Sequence, residues 1–167
     1  MTDQSEWTGK VGNVWAEEWQ RTDRSFGPLT QKLIAVARSA PFAQAIDIGC
    51  GAGEISLTLA AGAPSSHVLG VDISHDLLQV ARVRGKDRPN LRFELANAAN
   101  WYAGAAERPD LVVSRHGVMF FADPAAAFVN LREGAQPGAQ LCFSCFRAPE
   151  LNPWANEVAE MFDRPQS

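Results

Sequence analysis

The sequence contains one tyrosine, three cysteines and no surplus of basic residues. Each scarcity excludes something. Fifteen Lys and Arg stand against 19 Asp and Glu, giving a formal net charge of -4 and a pI of about 5.3. Neither nucleic acid nor an anionic membrane surface is an expected partner for that balance. No apolar run approaches the roughly 20 residues of a membrane span. The opening MTDQSEWTGK has no basic stretch leading into an apolar one, so it does not read as a signal peptide. An odd number of cysteines (Cys50, Cys142 and Cys145) without a secretory segment points to a reducing, cytoplasmic setting. His67 and His75 read as surface residues, and no histidine pair has the spacing of metal ligands, so no metal is expected. Cys142-Phe-Ser-Cys145 spells C-x-x-C, but inside a strand candidate. Positions three apart in a strand point to opposite faces, so core packing is expected rather than a shared metal or a disulfide.

What is present suits one globular domain. The 167 residues are 46% hydrophobic and 20% charged, and a chain of this length typically removes about 70% of its surface from water on folding. Residues 1–42 are polar and rich in Trp, and read as a helical cap. Val11, Trp15 and Trp19 fall four apart on one helical stripe. Pro28 is placed to open a second helix carrying Leu29, Leu33, Ile34 and Ala37, and Pro41 to stop it. From residue 43 onward, short apolar runs alternate with helical segments. The strand candidates are 45–48, 68–72, 91–95, 110–114 and 140–146. Helix candidates cover 54–61, 76–84 and 124–133, with shorter ones at 100–106 and 153–162. Strands that are apolar throughout are those covered on both faces. Their alternation with helices predicts right-handed βαβ units and a doubly wound α/β sheet of five parallel strands.

The stretch Ala45-Ile-Asp-Ile-Gly-Cys-Gly-Ala-Gly53 runs from a strand through three glycines into a helix beginning at Glu54. Glycines let the chain turn tightly and admit a ligand close to the backbone. The helix start offers free N–H groups to an anionic group. The next strand, Val68-Leu-Gly-Val-Asp72, ends in an acid able to accept both hydroxyls of a ribose. The glycine spacing G-x-G-x-G, with Glu at 54, misses the dinucleotide pattern G-x-G-x-x-G. Asp47, two residues before the first glycine, would repel a pyrophosphate and attract an ammonium. Ribose, carboxylate and ammonium occur together in S-adenosyl-L-methionine.

This stretch resembles motif I of the class I S-adenosylmethionine-dependent methyltransferases. Val68-Leu-Gly-Val-Asp-Ile-Ser74 resembles the family's second motif, and Asp110 through Pro124 its fourth-strand motif. Leu131-Arg-Glu-Gly-Ala-Gln-Pro-Gly138 is similar to the turn into the fifth strand. The resemblance implies a Rossmann-like core with strand order 3-2-1-4-5. By position it implies that Gly49, Cys50, Gly51 and Gly53 line the methionine portion, with Asp47 near its ammonium. Asp72 would hold the ribose and Ile73 would lie against adenine. Asn97, where the family often has an acid, would accept from the adenine amino group beside Ala98. Ser114 would offer its carbonyl near the ammonium.

His116 follows the fourth strand, where parallel sheets place their ligands, and could take a proton from a hydroxyl or amine acceptor. Trp15, Trp19, Met119, Phe120 and Phe121 read as core or as pocket cover, and Arg24 and Phe26 as a loop over the cofactor. Asn152-Pro153-Trp154 lies after the wrong strand, with one proline too few, to be a nucleic-acid amino-methyltransferase motif.

The expected activity is methyl transfer to a small molecule by in-line displacement. A non-catalytic, partner-dependent cofactor module is the alternative, and an NAD-dependent oxidoreductase is disfavoured by the glycine spacing and Asp47. The resemblance further implies a sheet that continues beyond strand five, so the core at 43–167 reads as shortened after that strand and a following helix. Strand 141–146 would then be an apolar edge open to self-association.

Overall fold

A computed structural model of the chain describes residues 7–101, 104, 107–148 and 151–152. The elements run α1 (Lys10–Glu17), α2 (Trp19–Ala37), β1 (Gln44–Ile48), α3 (Glu54–Gly62), β2 (His67–Asp72), α4 (His75–Gly85), β3 (Leu91–Leu95), β4 (Leu111–Arg115), a 3-10 turn (Gly117–Phe120), α5 (Pro124–Gly134) and β5 (Gln140–Ser144). All five strands are parallel, in the order β3-β2-β1-β4-β5. The expected strand order and five-stranded Rossmann-like sheet are therefore present. The order reverses direction between β1 and β4, which opens a crevice at their carboxyl ends.

Period-two alternation distributes the side chains of β1 and β4 between two cores. Ala45, Leu111 and Val113 pack with Leu33, Ile34, Ile55 and Leu59 under α2 and α3. Ile46, Ile48 and Val112 pack with Val118, Ala127 and Leu131 under α5. Each Leu, Ile or Val among them contributes roughly 1.5–3 kcal/mol when taken from water, before entropy is charged against it. The second half of α2 thus shares a core with the sheet, while its first half and α1 reach over the strand ends.

Local signals set the boundaries. The Asp110 carboxylate accepts from the Ala43 and Gln44 N–H groups at 2.8 Å each, which fixes the start of β1 beside β4. Ser74 caps α4 by accepting from Leu77 N–H, and Asp123 caps α5 by accepting from Ala126 N–H, with Pro124 in the first turn.

Four expectations need correction. Pro28 does not open a helix; it lies inside α2, nine residues after that helix begins at Trp19. Its ring has the helical φ and forgoes one hydrogen bond, a loss that burial of Leu33, Ile34 and Ala37 offsets. Val11, Trp15 and Trp19 do not share one helix, because Glu18 separates α1 from α2 with φ -96° and ψ 18°. β5 ends at Ser144 rather than at 146. Cys142 is buried in the first core as expected, but Cys145 falls just beyond the strand and is exposed. The short helices read at 100–106 and 153–162 fall wholly or mostly outside the described residues.

Candidate functional site

A cavity of about 270 Å³ opens at the carboxyl ends of β1, β2 and β4, beneath α1 and the first half of α2. The loop from β1 to α3 forms its floor. Gly49 has φ +65°, and its Cα faces Gly117, where an added Cβ would come within 2.7 Å of the Gly117 Cα. The two loops can meet only as paired glycines. Gly49 and Cys50 N–H both donate to the Val71 carbonyl, tying the loop to the end of β2. Gly51, at φ +54°, has open space where a Cβ would stand, so the backbone there is bare toward the cavity.

Two buried carboxylates sit on either side of this loop. One Asp72 oxygen accepts from Gly51 N–H and the other from Ser74 N–H, both at 2.8 Å. Asp72 therefore shapes the glycine loop and starts the turn into α4. Burial raises its pKa above the ordinary value, opposed by its backbone hydrogen bonds to Ser74, Gly51 and Ile73. Asp47 is 1% exposed. Its Oδ2 accepts from the Ser56 hydroxyl at 2.6 Å and from Ser56 N–H at 3.1 Å. Its Oδ1 is buried without a hydrogen-bond partner, on a residue that lines the cavity. Burial pushes the Asp47 pKa up to about 6, against the pull of Ser56 and the Arg115 guanidinium. An unpartnered buried carboxylate oxygen calls for a donor, and a cationic one matches its charge. Burial, then the charges of Asp72 and Asp47, push the Cys50 thiol well above its usual range, so it is an inert wall residue.

The β4 end carries the other chemistry. Ser114 is fully buried, donates to the Ile48 carbonyl at 2.7 Å and accepts from Val118 N–H at 3.2 Å. His116 follows in the left-handed region at φ 68°, unusual for a residue with a side chain. Its ring stacks on Phe146 at 4.3 Å and meets the edge of Phe26 at 5.1 Å. Burial and the adjacent Arg115 lower its pKa, so the imidazole is neutral near pH 7. Arg115 itself is held by Glu54, by the Thr30 hydroxyl at 2.7 Å and by Asp23 at 3.9 Å.

Of the residues expected from sequence, Asp47, Gly49, Cys50, Gly51, Asp72, Ile73, Asn97, Ala98 and His116 line this one cavity. Gly53 and Ser114 do not. Gly53 turns the chain into α3 with Phe93 behind it, and the Ser114 side chain braces the β4 turn from below. The Asn97 side-chain oxygen already accepts from Ala99 N–H at 3.0 Å, which shapes the loop after β3. Trp15, Trp19, Phe26, Phe120 and Phe121 line the cavity as well, whereas Arg24 and Met119 do not. Sequence reasoning missed Trp7, Asp23 and Arg115. Arg115 was legible in principle, since it sits between two residues singled out by the fourth-strand motif.

The family model described as a methyltransferase domain matches residues 45–138, more than half of the chain. The chain belongs to the class I S-adenosylmethionine-dependent methyltransferases. It is 35% identical to trans-aconitate 2-methyltransferase of Methylobacterium radiotolerans, over 71% of this chain and 44% of that protein. It is 31% identical to the ubiquinone biosynthesis O-methyltransferase of Aromatoleum aromaticum, over 77% and 57%. This methyltransferase chain thus spans about half the length of the curated relatives it matches. Among solved structures it resembles CalS10, an amino pentose methyltransferase of Micromonospora echinaspora, with TM-score 0.66 and 24% identity over 82% of this chain and 58% of that one. The N-methyltransferase NodS of Bradyrhizobium japonicum gives 0.65 and 20% over 77% and 65%. Both share the fold. The family's cofactor is S-adenosylmethionine, and the residues here fit it: Asp47 Oδ1 is a buried carboxylate oxygen without a hydrogen-bond partner, matched in charge to an ammonium, and Asp72 stands at the second strand end.

Proposed function

We propose that this methyltransferase domain transfers a methyl group from S-adenosylmethionine to a small-molecule acceptor. The observation that carries the reading is the unpartnered Asp47 oxygen on the same cavity as the bare Gly51 backbone and the Asp72 carboxylate. Asp47 takes the cofactor's ammonium, and the Gly49–Gly51 backbone and Cys50 line its methionine portion. Asp72 takes the ribose hydroxyls, and Ile73, Asn97 and Ala98 surround the adenine, with Gly53 and Ser114 supporting from behind. A nicotinamide dinucleotide would set its pyrophosphate against Asp47, a repulsion that disfavours the oxidoreductase reading.

When bound, the cofactor supplies a sulfonium methyl whose leaving group needs no proton. The protein's own part is alignment and exclusion of water. The aromatic wall of Trp15, Trp19, Phe26 and Phe120 lines the cavity beneath α1 and the first half of α2. His116, neutral and held between two rings, takes the proton of an acceptor that arrives protonated. Among the described residues no helix is long and apolar enough to cross a membrane, and all three cysteines are free, which supports a cytoplasmic setting.

The test is calorimetric titration with S-adenosylmethionine, S-adenosylhomocysteine and NAD, repeated on Asp72→Ala. The first two are expected to bind wild type and to weaken by roughly 10- to 150-fold in the variant, the worth of a charge-assisted contact of about 1.5–3 kcal/mol. Binding of NAD alone would overturn the reading.

A further inference from the structure

Resting on that reading, we propose that the acceptor is an uncharged, planar hydroxyl compound, bound at the β4–β5 side of the cavity between His116 and the aromatic wall. Sheet order divides the cavity. Asp72 and Ile73 stand at the end of β2, and Asn97 follows β3, so the adenosine side lies toward β2 and β3. β1 carries Asp47 and the glycine loop in the middle. β4 lies on the opposite side of β1, about 10 Å from β2 at the usual strand spacing. Beside the paired charges of Asp23 and Arg115, the rings that face an acceptor at this end include His116 after β4, Phe146 after β5, and Phe26 on α2 above them.

Charge decides the class. The cation beside this end is Arg115: one terminal nitrogen donates to Glu54 and to the Thr30 hydroxyl, and the other lies 3.9 Å from Asp23. Its charge is already balanced by the carboxylates of Glu54 and Asp23, so an anionic acceptor would give up its hydration for a cation it must share with both. The carboxylates at this end, Asp23 and Glu54, are likewise balanced by Arg84 and Arg115, so a cationic acceptor finds no anion of its own there. The remaining carboxylates of the cavity, Asp47 and Asp72, belong to the cofactor side. What this end offers is flat apolar surface and one imidazole. Neither ring nitrogen of His116 hydrogen-bonds to another described residue, and the ring is already oriented by Phe26 and Phe146. A hydroxyl on a planar ring satisfies all of these groups.

The step balances without another reactant. The hydroxyl proton passes to a ring nitrogen of His116, the oxygen lone pair forms the new O–CH3 bond, and the carbon–sulfur bond breaks with its pair left on sulfur. The proton then leaves the imidazolium for solvent.

The test uses three planar probes of similar size and different charge: 2-naphthol, 2-naphthoate and 2-naphthylmethylammonium. Each is titrated calorimetrically into the full chain saturated with S-adenosylhomocysteine. The naphthol is expected to bind at least about tenfold tighter than either charged probe. Phe26→Ala and Phe146→Ala should each reduce that preference, while Val83→Ala, on the exposed face of α4, leaves it unchanged. Equal or tighter binding of either charged probe overturns the inference, and so does failure of the naphthol to bind the S-adenosylhomocysteine complex. Failure of S-adenosylhomocysteine itself to bind overturns the cofactor reading beneath it, which separates the two.

Discussion

Asp23, on α2, lies 2.7 Å from the guanidinium of Arg84, on α4, and the other terminal nitrogen of Arg84 donates to the Ala52 carbonyl at 2.7 Å. One ion pair thus fastens the cap helix to the glycine loop. The Arg84 guanidinium also lies 3.9 Å over the Trp19 ring, so the same side chain holds a wall of the cavity. Both partners are mostly buried, with side chains 19% and 16% exposed. Removing Asp23 would leave Arg84 and Arg115 short of an anion, which for a buried pair costs roughly 3 kcal/mol. Asp23→Ala is expected to lower stability by about that amount in urea denaturation and to weaken S-adenosylhomocysteine binding about tenfold. A variant with wild-type stability and affinity would show that the link does not hold the cap.

That contact also marks where the sequence stops being readable. β1 and β2 were legible because short apolar runs end in glycine or an acid, and their fully buried residues, such as Ile46, Ile48 and Val71, leave little freedom of register. The glycine loop was legible because only glycine tolerates the backbone at Gly49 and the approach of Gly117. Asp23 and Arg84 are 61 residues apart, and their meeting depends on how α2 crosses the strand ends. Periodicity within a helix says nothing about that crossing. Pro28 was misread for a related reason: local propensity places proline at a helix start, and the packing of Leu33, Ile34 and Ala37 against the sheet overrides it.

The raised pKa of Asp47 has a definite sign in both stability and binding. Its value rises from 3.8 to about 6 on folding, so the folded chain holds the proton across that window and the unfolded chain does not. Stability is therefore lost as pH rises from about 4 to about 6, by about 3 kcal/mol for a shift of this size. An ammonium beside Oδ1 favours the ionised form, so cofactor binding should release a proton near pH 6 and tighten as pH rises through that value. Calorimetry in two buffers of different ionisation enthalpy measures the release directly. Asp47→Asn should abolish it and flatten the stability profile across the window. No proton release in wild type would remove Asp47 from the cofactor's ammonium.

β5 presents an apolar edge. Among the described residues it pairs with β4 alone, and Leu141 and Phe143, two apart and on one face, are 47% and 45% exposed. No lysine, proline or bulge interrupts Gln140–Ser144, and such an edge invites pairing with a second strand. We expect the chain to self-associate as concentration rises in light scattering, and Leu141→Lys to shift it toward monomer. A monomer at the highest soluble concentration would sink this expectation.

The proton-accepting role proposed for His116 can be separated from a merely structural one by a pH profile. The groups facing the ring are Phe26 and Phe146, with Arg115 the nearest charge and Asp23 and Glu54 bound to that charge. Because burial and Arg115 hold the His116 pKa below its ordinary 6.5, the imidazole is already free to accept a proton at neutral pH. Methyl transfer to a hydroxyl acceptor should therefore fall only as pH drops below that lowered value. His116→Asn keeps a planar polar group and removes the titration, so its rate should be lower by about 10²-fold and flat across the same range. The left-handed backbone at φ 68° favours asparagine among the residues with a side chain, which makes the variant a mild one for folding. Since the ring also packs on Phe146, a structural role predicts weaker acceptor binding with an unchanged pH profile. A variant that keeps the wild-type profile would assign the proton to water and leave His116 as a wall of the acceptor site.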